Sequence, residues 1–454
     1  MALIELDLTA QPGPALGSRP PAHRYRLPGL LIAAVLALVL GGAAPVTPML
    51  WRFLGAVPRP GDSEAQSRLV GDRVYTVAPD GGDRVTTAWQ IGEPPSELWT
   101  TRFPARRSGP DDIGFGGVEA RAAGDVVLLS DGPATTVVDA ATGQVRWHSD
   151  VGVAPLAGNR IGLVQNPVFR AGTEYDQESG AAGALYFSAT GQPHVEPPLR
   201  TALSGLDLRT GATVWTGVVP GSVNVFALGG RDPAVVVLAS DRLQLIDGAT
   251  GATRRTVPLP KVDGAGPVGG SLVGGTLLVH YGDSSIAGQE VAYAAGTLDR
   301  RWQRSVPAVL LDPPSCQDVL CAGSRADLDV LDPATGAARW RARGGLDLIG
   351  HTRYVIEVDP ANGIPVRLSD PATGATRVDL AGWRSEVSAS GPDDPLVLRR
   401  PLDGGASAFG VVLSHPDRVQ LLGDTGGPVS DCTADRAYVM CRGNDGLLLW
   451  AFRS

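Results

Sequence analysis

The sequence predicts an all-β fold: a β-propeller of about eight four-stranded antiparallel blades, with seven as the alternative, preceded by one N-terminal transmembrane helix. Three observations carry this prediction. A turn motif recurs at intervals of about 40 residues, short apolar runs alternate with period two, and turn formers are abundant, with 59 Gly and 37 Pro among 454 residues. Period-two apolar runs are typical of strands, and Gly and Pro mark the turns between them.

The first element is an apolar segment that predicts a membrane anchor. Residues 27–44 contain no charged side chain, and three arginines come just before them: Arg19, Arg24 and Arg26. The run is near the lower length limit for a membrane-spanning helix. Positive charge stays on the cytoplasmic side, so the N-terminus is expected inside and the rest of the chain outside. A cleaved signal peptide is the alternative interpretation.

This topology divides the chain into three parts. Residues 1–26 are expected to be a cytoplasmic tail, residues 27–50 a signal-anchor helix, and residues 51–454 an extracytoplasmic propeller. The predicted location is therefore the cell membrane, with a single crossing.

The repeat that defines the propeller has the form Asp-x-x-Thr-Gly-x-x-x-Trp. Complete copies contain Asp139, Gly143 and Trp147; Asp207, Gly211 and Trp215; and Asp332, Gly336 and Trp340; copies without the Trp contain Asp247 and Gly251, and Asp370 and Gly374; a degenerate copy runs from Tyr293 through Gly296 to Trp302. An Asp side chain can accept hydrogen bonds from backbone amides two residues on, which starts a turn. The Gly supplies the positive φ of a short hairpin loop. The Trp offers a large apolar surface to the neighbouring unit.

The spacing of the motif matches one propeller blade. Asp207 and Asp247 are 40 residues apart, and Asp332 and Asp370 are 38 apart. These periods suit a four-stranded blade. Segmentation by the motif gives eight units after residue 60, of which the last, residues 386–454, is long and lacks a clear motif.

The motif resembles the repeat of pyrroloquinoline-quinone-type propellers, and the resemblance covers the chain from about residue 60 to the end. That family includes quinoprotein alcohol dehydrogenases and non-enzymatic relatives, such as the propeller lipoprotein of the outer-membrane β-barrel assembly machine. The resemblance implies a propeller fold. The enzymes of the family carry an adjacent pair of disulfide-bonded cysteines and calcium ligands, and no two cysteines are adjacent here. We therefore assign this chain to the non-enzymatic branch, with no catalytic, cofactor-binding or metal-binding residue.

Four cysteines follow the predicted anchor: Cys316, Cys321, Cys432 and Cys441. An even number of cysteines outside the cytoplasm predicts two disulfides. Three connectivities are open, and pairing of sequence neighbours is the simplest. A zinc site is the alternative, but no His lies beside either pair.

One unit is widened by an insertion between Gln165 and Pro198. Its candidate partner-contacting residues are Glu174, Tyr175, Asp176 and Glu178. Loops on a rigid scaffold often carry binding, but a surface insertion without any role is also tolerated.

The charge of the chain narrows the class of partner. The formal net charge is −8 and no long basic run exists, which argues against nucleic acid. We expect a membrane-anchored scaffold that binds a protein partner or a cell-envelope ligand. The alternative function is a divergent quinoprotein-type dehydrogenase or another enzyme that uses the propeller funnel.

Overall fold

The structure is a computed structural model, and it describes residues 51–58, 66–105, 118–176, 183–230, 232–262, 264–282, 288–306, 315–386, 395–414 and 417–452. Within these ranges the chain forms 38 β-strands and one short 3₁₀ turn, Asp403–Gly405. The predicted anchor, residues 27–50, lies outside the described ranges. No helix within them is long and apolar enough to cross a membrane.

The strands are arranged as nine blades around a central channel. Blades 1 to 4 contain, in order, β2 (Gln66–Val70), β3 (Arg73–Asp80), β4 (Asp83–Gln90) and β5 (Ser96–Pro104); β6 (Val118–Ala123), β7 (Val126–Asp131), β8 (Ala134–Asp139) and β9 (Val145–Ser149); β10 (Ala154–Pro155), β11 (Ile161–Val168), β14 (Arg200–Asp207) and β15 (Thr213–Pro220); and β16 (Asn224–Leu228), β17 (Ala234–Leu238), β18 (Arg242–Asp247) and β19 (Thr253–Pro258). A separate hairpin, β12 (Tyr186–Phe187) and β13 (Pro193–His194), lies between β11 and β14 in the chain.

The second half of the ring is less regular. Blades 5 to 9 contain β20 (Pro267–Val273), β21 (Thr276–Tyr281), β22 (Gly288–Ala294) and β23 (Arg300–Val306); β25 (Cys321–Ser324), β26 (Asp327–Leu331) and β27 (Ala338–Arg341); β24 (Cys316–Gln317), β28 (Asp347–Gly350), β29 (Val355–Asp359), β30 (Ile364–Ser369) and β31 (Thr376–Asp379); β32 (Ser385–Glu386), β33 (Val397–Pro401), β34 (Ser407–Ser414) and β35 (Asp417–Asp424); and β36 (Ser430–Ala434), β37 (Tyr438–Gly443), β38 (Gly446–Phe452) and β1 (Trp51–Val57).

The prediction of eight blades, with seven as the alternative, was wrong: the ring has nine. The last predicted unit, residues 386–454, holds one full blade and three further strands. The first strand of the domain, β1, pairs antiparallel with β38 and completes the ninth blade. No copy of the motif marks this blade, because its fourth strand comes from the other end of the domain.

Two blades also depart from the predicted four antiparallel strands. Blade 6 has three described strands, and blade 7 has five. The difference arises at β24, which pairs in parallel with β28 of blade 7 instead of joining blade 6.

Apolar clusters join each blade to the next and close the ring. The cluster between blades 9 and 1 shows the closure directly, because it combines Leu54 and Met440 of blade 9 with Leu69 and Val74 of blade 1. Between blades 8 and 9, the ring of Trp51 stacks on Phe409 at a centroid distance of 5.3 Å. A closed ring leaves only short strand edges at its rim.

Five tryptophans dock between neighbouring blades, and three of them, Trp147, Trp215 and Trp340, belong to complete copies of the motif. Each ring packs over the motif glycine of the following blade, and its indole Nε1 donates to the carbonyl oxygen of the residue after the motif aspartate. The pairs are Trp99 with Gly143 and Ala140, Trp147 with Gly211 and Leu208, Trp215 with Gly251 and Gly248, Trp302 with Gly336 and Pro333, and Trp340 with Gly374 and Pro371. The indole N–H is thereby satisfied although the ring is buried or nearly so.

The aspartates of the motif build the turns that receive these rings. In the first copy, Asp139 Oδ1 accepts hydrogen bonds from the amides of Ala141 and Thr142, at 2.9 and 2.8 Å. Gly143 has φ +72°, and its amide donates to the carbonyl oxygen of Asp139 at 2.9 Å. A hydrogen bond from Arg146 holds the pKa of Asp139 at about 2.

The interface between blades 4 and 5 has no tryptophan and is formed by other side chains. Blade 4 carries Arg255 where the complete copies carry Trp, and its guanidinium contacts Asp299 of blade 5 at 2.8 Å. The glycine position of the degenerate copy is taken by Leu298, with φ +56°, and not by Gly296 as the sequence suggested. Its amide donates to Ala294, as the motif glycine donates to its aspartate. Leu298 is fully buried between blades 4 and 5, so it fills apolar space where the tryptophan is missing.

Both predicted disulfides are present, with local connectivity. Cys316 is bonded to Cys321 and Cys432 to Cys441, at S–S distances of 1.97 and 2.16 Å. The closed loops span sequence separations of only 5 and 9 residues. The bond between Cys432 and Cys441 joins β36 to β37 within blade 9, whereas the bond between Cys316 and Cys321 joins β24 of blade 7 to β25 of blade 6.

Candidate functional site

The insertion in blade 3 occupies one end of the propeller. It connects β11 to β14, the second and third strands of the blade. In an antiparallel blade, the loop between strands two and three lies at the opposite end from the loop between strands three and four. The insertion therefore lies at the end opposite the Asp-x-x-Thr-Gly turns.

The insertion is held by its own hydrogen bonds. The imidazole of His194, which is buried, stacks on Phe169 with ring centroids 3.8 Å apart. Thr173 Oγ1 donates to the carbonyl oxygen of Arg170 at 2.9 Å and lies 3.1 Å from His194 Nδ1. Because the hydroxyl proton is used, His194 Nδ1 must carry the proton of that second hydrogen bond. Across the base of the insertion, Arg170 and Glu196 form an ion pair at 2.6 Å.

Three of the four predicted partner-contacting residues lie in the described part of the insertion. Glu174 is exposed and forms a β-bridge with His194. Tyr175 is half-buried, and its amide donates to the carbonyl oxygen of Pro193 at 2.9 Å. Asp176 is exposed, and Glu178 lies outside the described residues. The described members of the set are thus at the surface of the described part of the insertion, where a partner can reach them.

A cavity of about 400 Å³ lies between blades 2 and 3, beside the insertion. Its walls come from β6 and β7 on one side and from β10, β11 and the segment before them on the other, and Ala189 of the insertion lines its edge. The first strands of neighbouring blades approach each other, as β2 and β6 do, and so border the channel. The cavity therefore opens from the channel wall.

The cavity combines apolar walls with a few polar groups. Leu128, Val153 and Leu163 supply the apolar surface, and Glu119 and Arg121 place one carboxylate and one guanidinium on the same face of β6. The composition is typical of a site in which apolar contacts hold a ligand and a few polar groups orient it. Reasoning from the sequence missed this site. The alternation of Val118 to Ala123 identifies a strand with an outward charged face, but only the ring shows what that face meets.

The described residues do not fit a quinone cofactor of the dehydrogenase type. All four cysteines are paired with partners 5 or 9 residues away, so no adjacent-cysteine disulfide can lie under a quinone ring. No group of three or more His, Cys, Asp or Glu side chains in the described ranges is arranged to hold a metal ion.

A second polar cluster crosses blade 5. Ser271 Oγ lies 3.2 Å from His280 Nε2, and His280 Nδ1 lies 3.1 Å from Glu290 Oε1. Arg304 donates to Glu290 Oε2 at 2.6 Å and to the carbonyl oxygen of Cys321 in blade 6 at 3.0 Å. Burial raises the pKa of Glu290, but the hydrogen bonds and charges of His280 and Arg304 outweigh burial and leave that pKa below its usual value. The carboxylate is thus ionised beside the imidazole.

No family model and no curated protein matches the sequence. Similar solved structures include BamB from Moraxella catarrhalis, at 16% identity, 89% coverage of this chain, 98% of that chain and a TM-score of 0.35. A eukaryotic initiation factor matches at 9% identity, 76% and 86% coverage, and a TM-score of 0.44. Quinohemoprotein alcohol dehydrogenase from Comamonas testosteroni matches at 10% identity, 88% and 76% coverage, and a TM-score of 0.37. The chain is a β-propeller, and its solved structural neighbours include BamB and a quinoprotein alcohol dehydrogenase, both of the pyrroloquinoline-quinone-like propeller fold.

Proposed function

We propose that the chain is a protein-binding propeller scaffold, anchored in a bacterial cell membrane by residues 27–50 and displayed outside the cytoplasm. The observation that carries the binding role is the cavity between blades 2 and 3 with the ordered insertion beside it. The two disulfides support the oxidising side of the membrane, because disulfides persist there. The uncharged run and the three arginines before it support the anchor.

The size and chemistry of the cavity favour a polypeptide as the ligand. A volume of about 400 Å³ is at the small end of ligand pockets, which span roughly 300–1,000 Å³. It suits an apolar side chain or a short extended segment. Glu119 and Arg121 can orient the amide groups of such a segment, and the exposed Glu174 extends the contact surface beyond the cavity.

Photocrosslinking in intact cells tests this proposal. A photoreactive amino acid is placed at Glu174 in the full chain, and at Arg209 as the control. Arg209 is also exposed, but it lies in a motif turn at the opposite end of blade 3. We expect a discrete crosslinked band from Glu174 and none of that mass from Arg209. Substitution by Arg of Ala154, an exposed residue that lines the cavity, places a bulky charge there and should remove the band. Equal crosslinking from both positions, or a band that survives in the cavity variant, would refute a binding role for this end of blade 3.

The membrane location has its own test. In spheroplasts, an external protease should digest the propeller of the full chain but not a cytoplasmic control protein. Protection of the propeller until the membrane is lysed would contradict the proposed topology.

A second candidate function is hydrolysis at the channel wall, which the cluster in blade 5 favours. Its order of hydroxyl, imidazole and carboxylate is that of an activated serine, in which the imidazole accepts the hydroxyl proton and the carboxylate orients it. A fluorophosphonate probe tests this directly: Ser271 Oγ would bond to phosphorus, fluoride would leave, and the proton would pass to His280. Labelling that is lost in Ser271→Ala but kept in Ser204→Ala, a half-buried serine of blade 3, would support it. An unlabelled wild-type chain would exclude it.

A further inference from the structure

The rim of the propeller carries one strand that differs from all the others. The last strand of each blade is its outermost, and its outer edge has backbone groups that no described neighbouring strand of the blade bonds. Exposed edges of this kind pair with other chains unless they are protected, and charged side chains are a common protection.

Eight of the nine outermost strands carry at least one arginine. These are Arg52 in β1, Arg102 in β5, Arg146 in β9, Arg254 and Arg255 in β19, Arg300, Arg301 and Arg304 in β23, Arg339 and Arg341 in β27, Arg377 in β31, and Arg418 in β35. The exception is β15 of blade 3, with the sequence Thr-Val-Trp-Thr-Gly-Val-Val-Pro. It contains no charged residue, and its Pro220 stands only at the end.

The same blade exposes an unusual amount of apolar surface. Four of the eleven large apolar side chains that are exposed in the described ranges belong to blade 3 or its insertion. Val214 and Val218 lie on β15, with 49% and 61% of their surface exposed, while Val195 and Leu199 lie in the segment that enters β14. Leu199 is held against the end of β15, because its carbonyl oxygen accepts a hydrogen bond from Gly221. The edge strand β15 and the exposed apolar side chains of blade 3 therefore form one continuous surface.

We propose that the occupant of this edge is β15 of a second copy of the chain, paired antiparallel about a two-fold axis. A two-fold pair requires an edge that is complementary to itself. An arginine on such an edge must be matched by an acidic residue of the second copy at one particular register, whereas β15 carries no charge and can pair with itself without any such match. Pairing would join two blades into one continuous sheet and bury Val214 and Val218 of both copies.

The charge of the chain gives the proposal a second signature. Two copies, each with a formal charge of −8, repel each other at long range, and salt screens that repulsion. An interface made of backbone hydrogen bonds and apolar contacts loses nothing to screening. Self-association should therefore strengthen as salt is raised, which is the opposite of an interface held by ion pairs.

Sedimentation velocity of the purified full chain in mild detergent tests the proposal, with Val218→Arg as the disrupting variant. Val268→Arg is the matched control, because Val268 is similarly exposed, at 66%, but lies on β20, the first strand of blade 5. We expect a concentration-dependent dimer for the wild type and for Val268→Arg, and at least a tenfold weaker dimer for Val218→Arg. The wild-type dimer should tighten between about 50 mM and 500 mM salt. A monomer at all concentrations, a Val218→Arg dimer as tight as the wild type, or a dimer that weakens with salt would each overturn the proposal. The proposed binding role of the cavity does not depend on this outcome, since photocrosslinking at Glu174 reports it separately.

Discussion

The glycine that receives each tryptophan offers the sharpest test of how the ring is held together. In blade 4, Gly251 lies beneath Trp215, and a Cβ added there would stand 2.7 to 2.9 Å from three atoms of that side chain. Carbon atoms in contact prefer about 3.5–4.0 Å. Gly251→Ala therefore requires the indole to shift by close to 1 Å, and Trp215 then loses part of its packing and strains its hydrogen bond to Gly248.

A matched variant separates the cost of placing an alanine at positive φ from the cost of the clash between its Cβ and the indole of Trp215. Gly251 and Gly221 both have φ +72°, but a Cβ on Gly221 would meet no atom within 4 Å. An alanine at this φ costs about 1–2 kcal/mol at either position. Overpacking costs a further 1–3 kcal/mol, roughly, and applies only at Gly251. We expect Gly251→Ala to lower the free energy of unfolding by about 2–5 kcal/mol, and Gly221→Ala by about 1–2 kcal/mol.

Urea unfolding followed by far-ultraviolet circular dichroism measures both variants and completes a double-mutant cycle. Trp215→Ala alone should cost about 3–5 kcal/mol, as for other buried aromatic truncations. In that background, Gly251→Ala should cost no more than Gly221→Ala, because the clash has been removed. Equal effects of the two alanine substitutions in the wild-type background would refute the reasoning, since the motif glycine would then be required only for its φ.

Three further predictions concern other parts of the ring. Leu298→Gly should lower the free energy of unfolding by about 1–3 kcal/mol, because the cavity costs about 2–5 kcal/mol and removal of a side chain at positive φ returns about 1–2 kcal/mol. Arg255→Trp should recover part of that loss by restoring the usual docking, as thermal melting of single and double variants would show. Glu357 is fully buried and forms an ion pair with Arg367 at 2.6 Å. Arg367→Met leaves the carboxylate without its counter-charge and should lower the free energy of unfolding by about 3–5 kcal/mol, whereas a double variant with Glu357→Leu should melt at a higher temperature than the single variant. The pKa of Asp247 is lowered to about 2 by its arginine partner, so its stabilisation is complete above about pH 4 and is lost as pH falls through about 2; Asp247→Asn should flatten the acid side of the stability curve, and an unchanged curve would contradict this assignment.

The sequence by itself determined the repeating unit, because the unit is encoded locally. An aspartate, a glycine and a tryptophan at fixed spacing specify a turn and the strand after it, whatever surrounds them. Three of the five docked tryptophans, Trp147, Trp215 and Trp340, follow that pattern. The paired cysteines were also readable, because Cys432 and Cys441 lie on strands that are neighbours in the chain. The same local logic predicted strands on both sides of Asp370, where they are found.

The tertiary structure decided what depends on contacts between distant segments. The ninth blade exists because β1 pairs with β38, almost 400 residues away, and no local pattern records that pairing. Leu298 could be placed only once its burial between blades 4 and 5 was visible, since its positive φ is unusual for a leucine. The cavity beside Glu119 lies between two blades, and the uncharged strand β15 lies at the edge of its sheet. Each depends on which surface a neighbouring blade covers, and a strand carries the same alternation whether its outer face meets solvent, the channel or another chain.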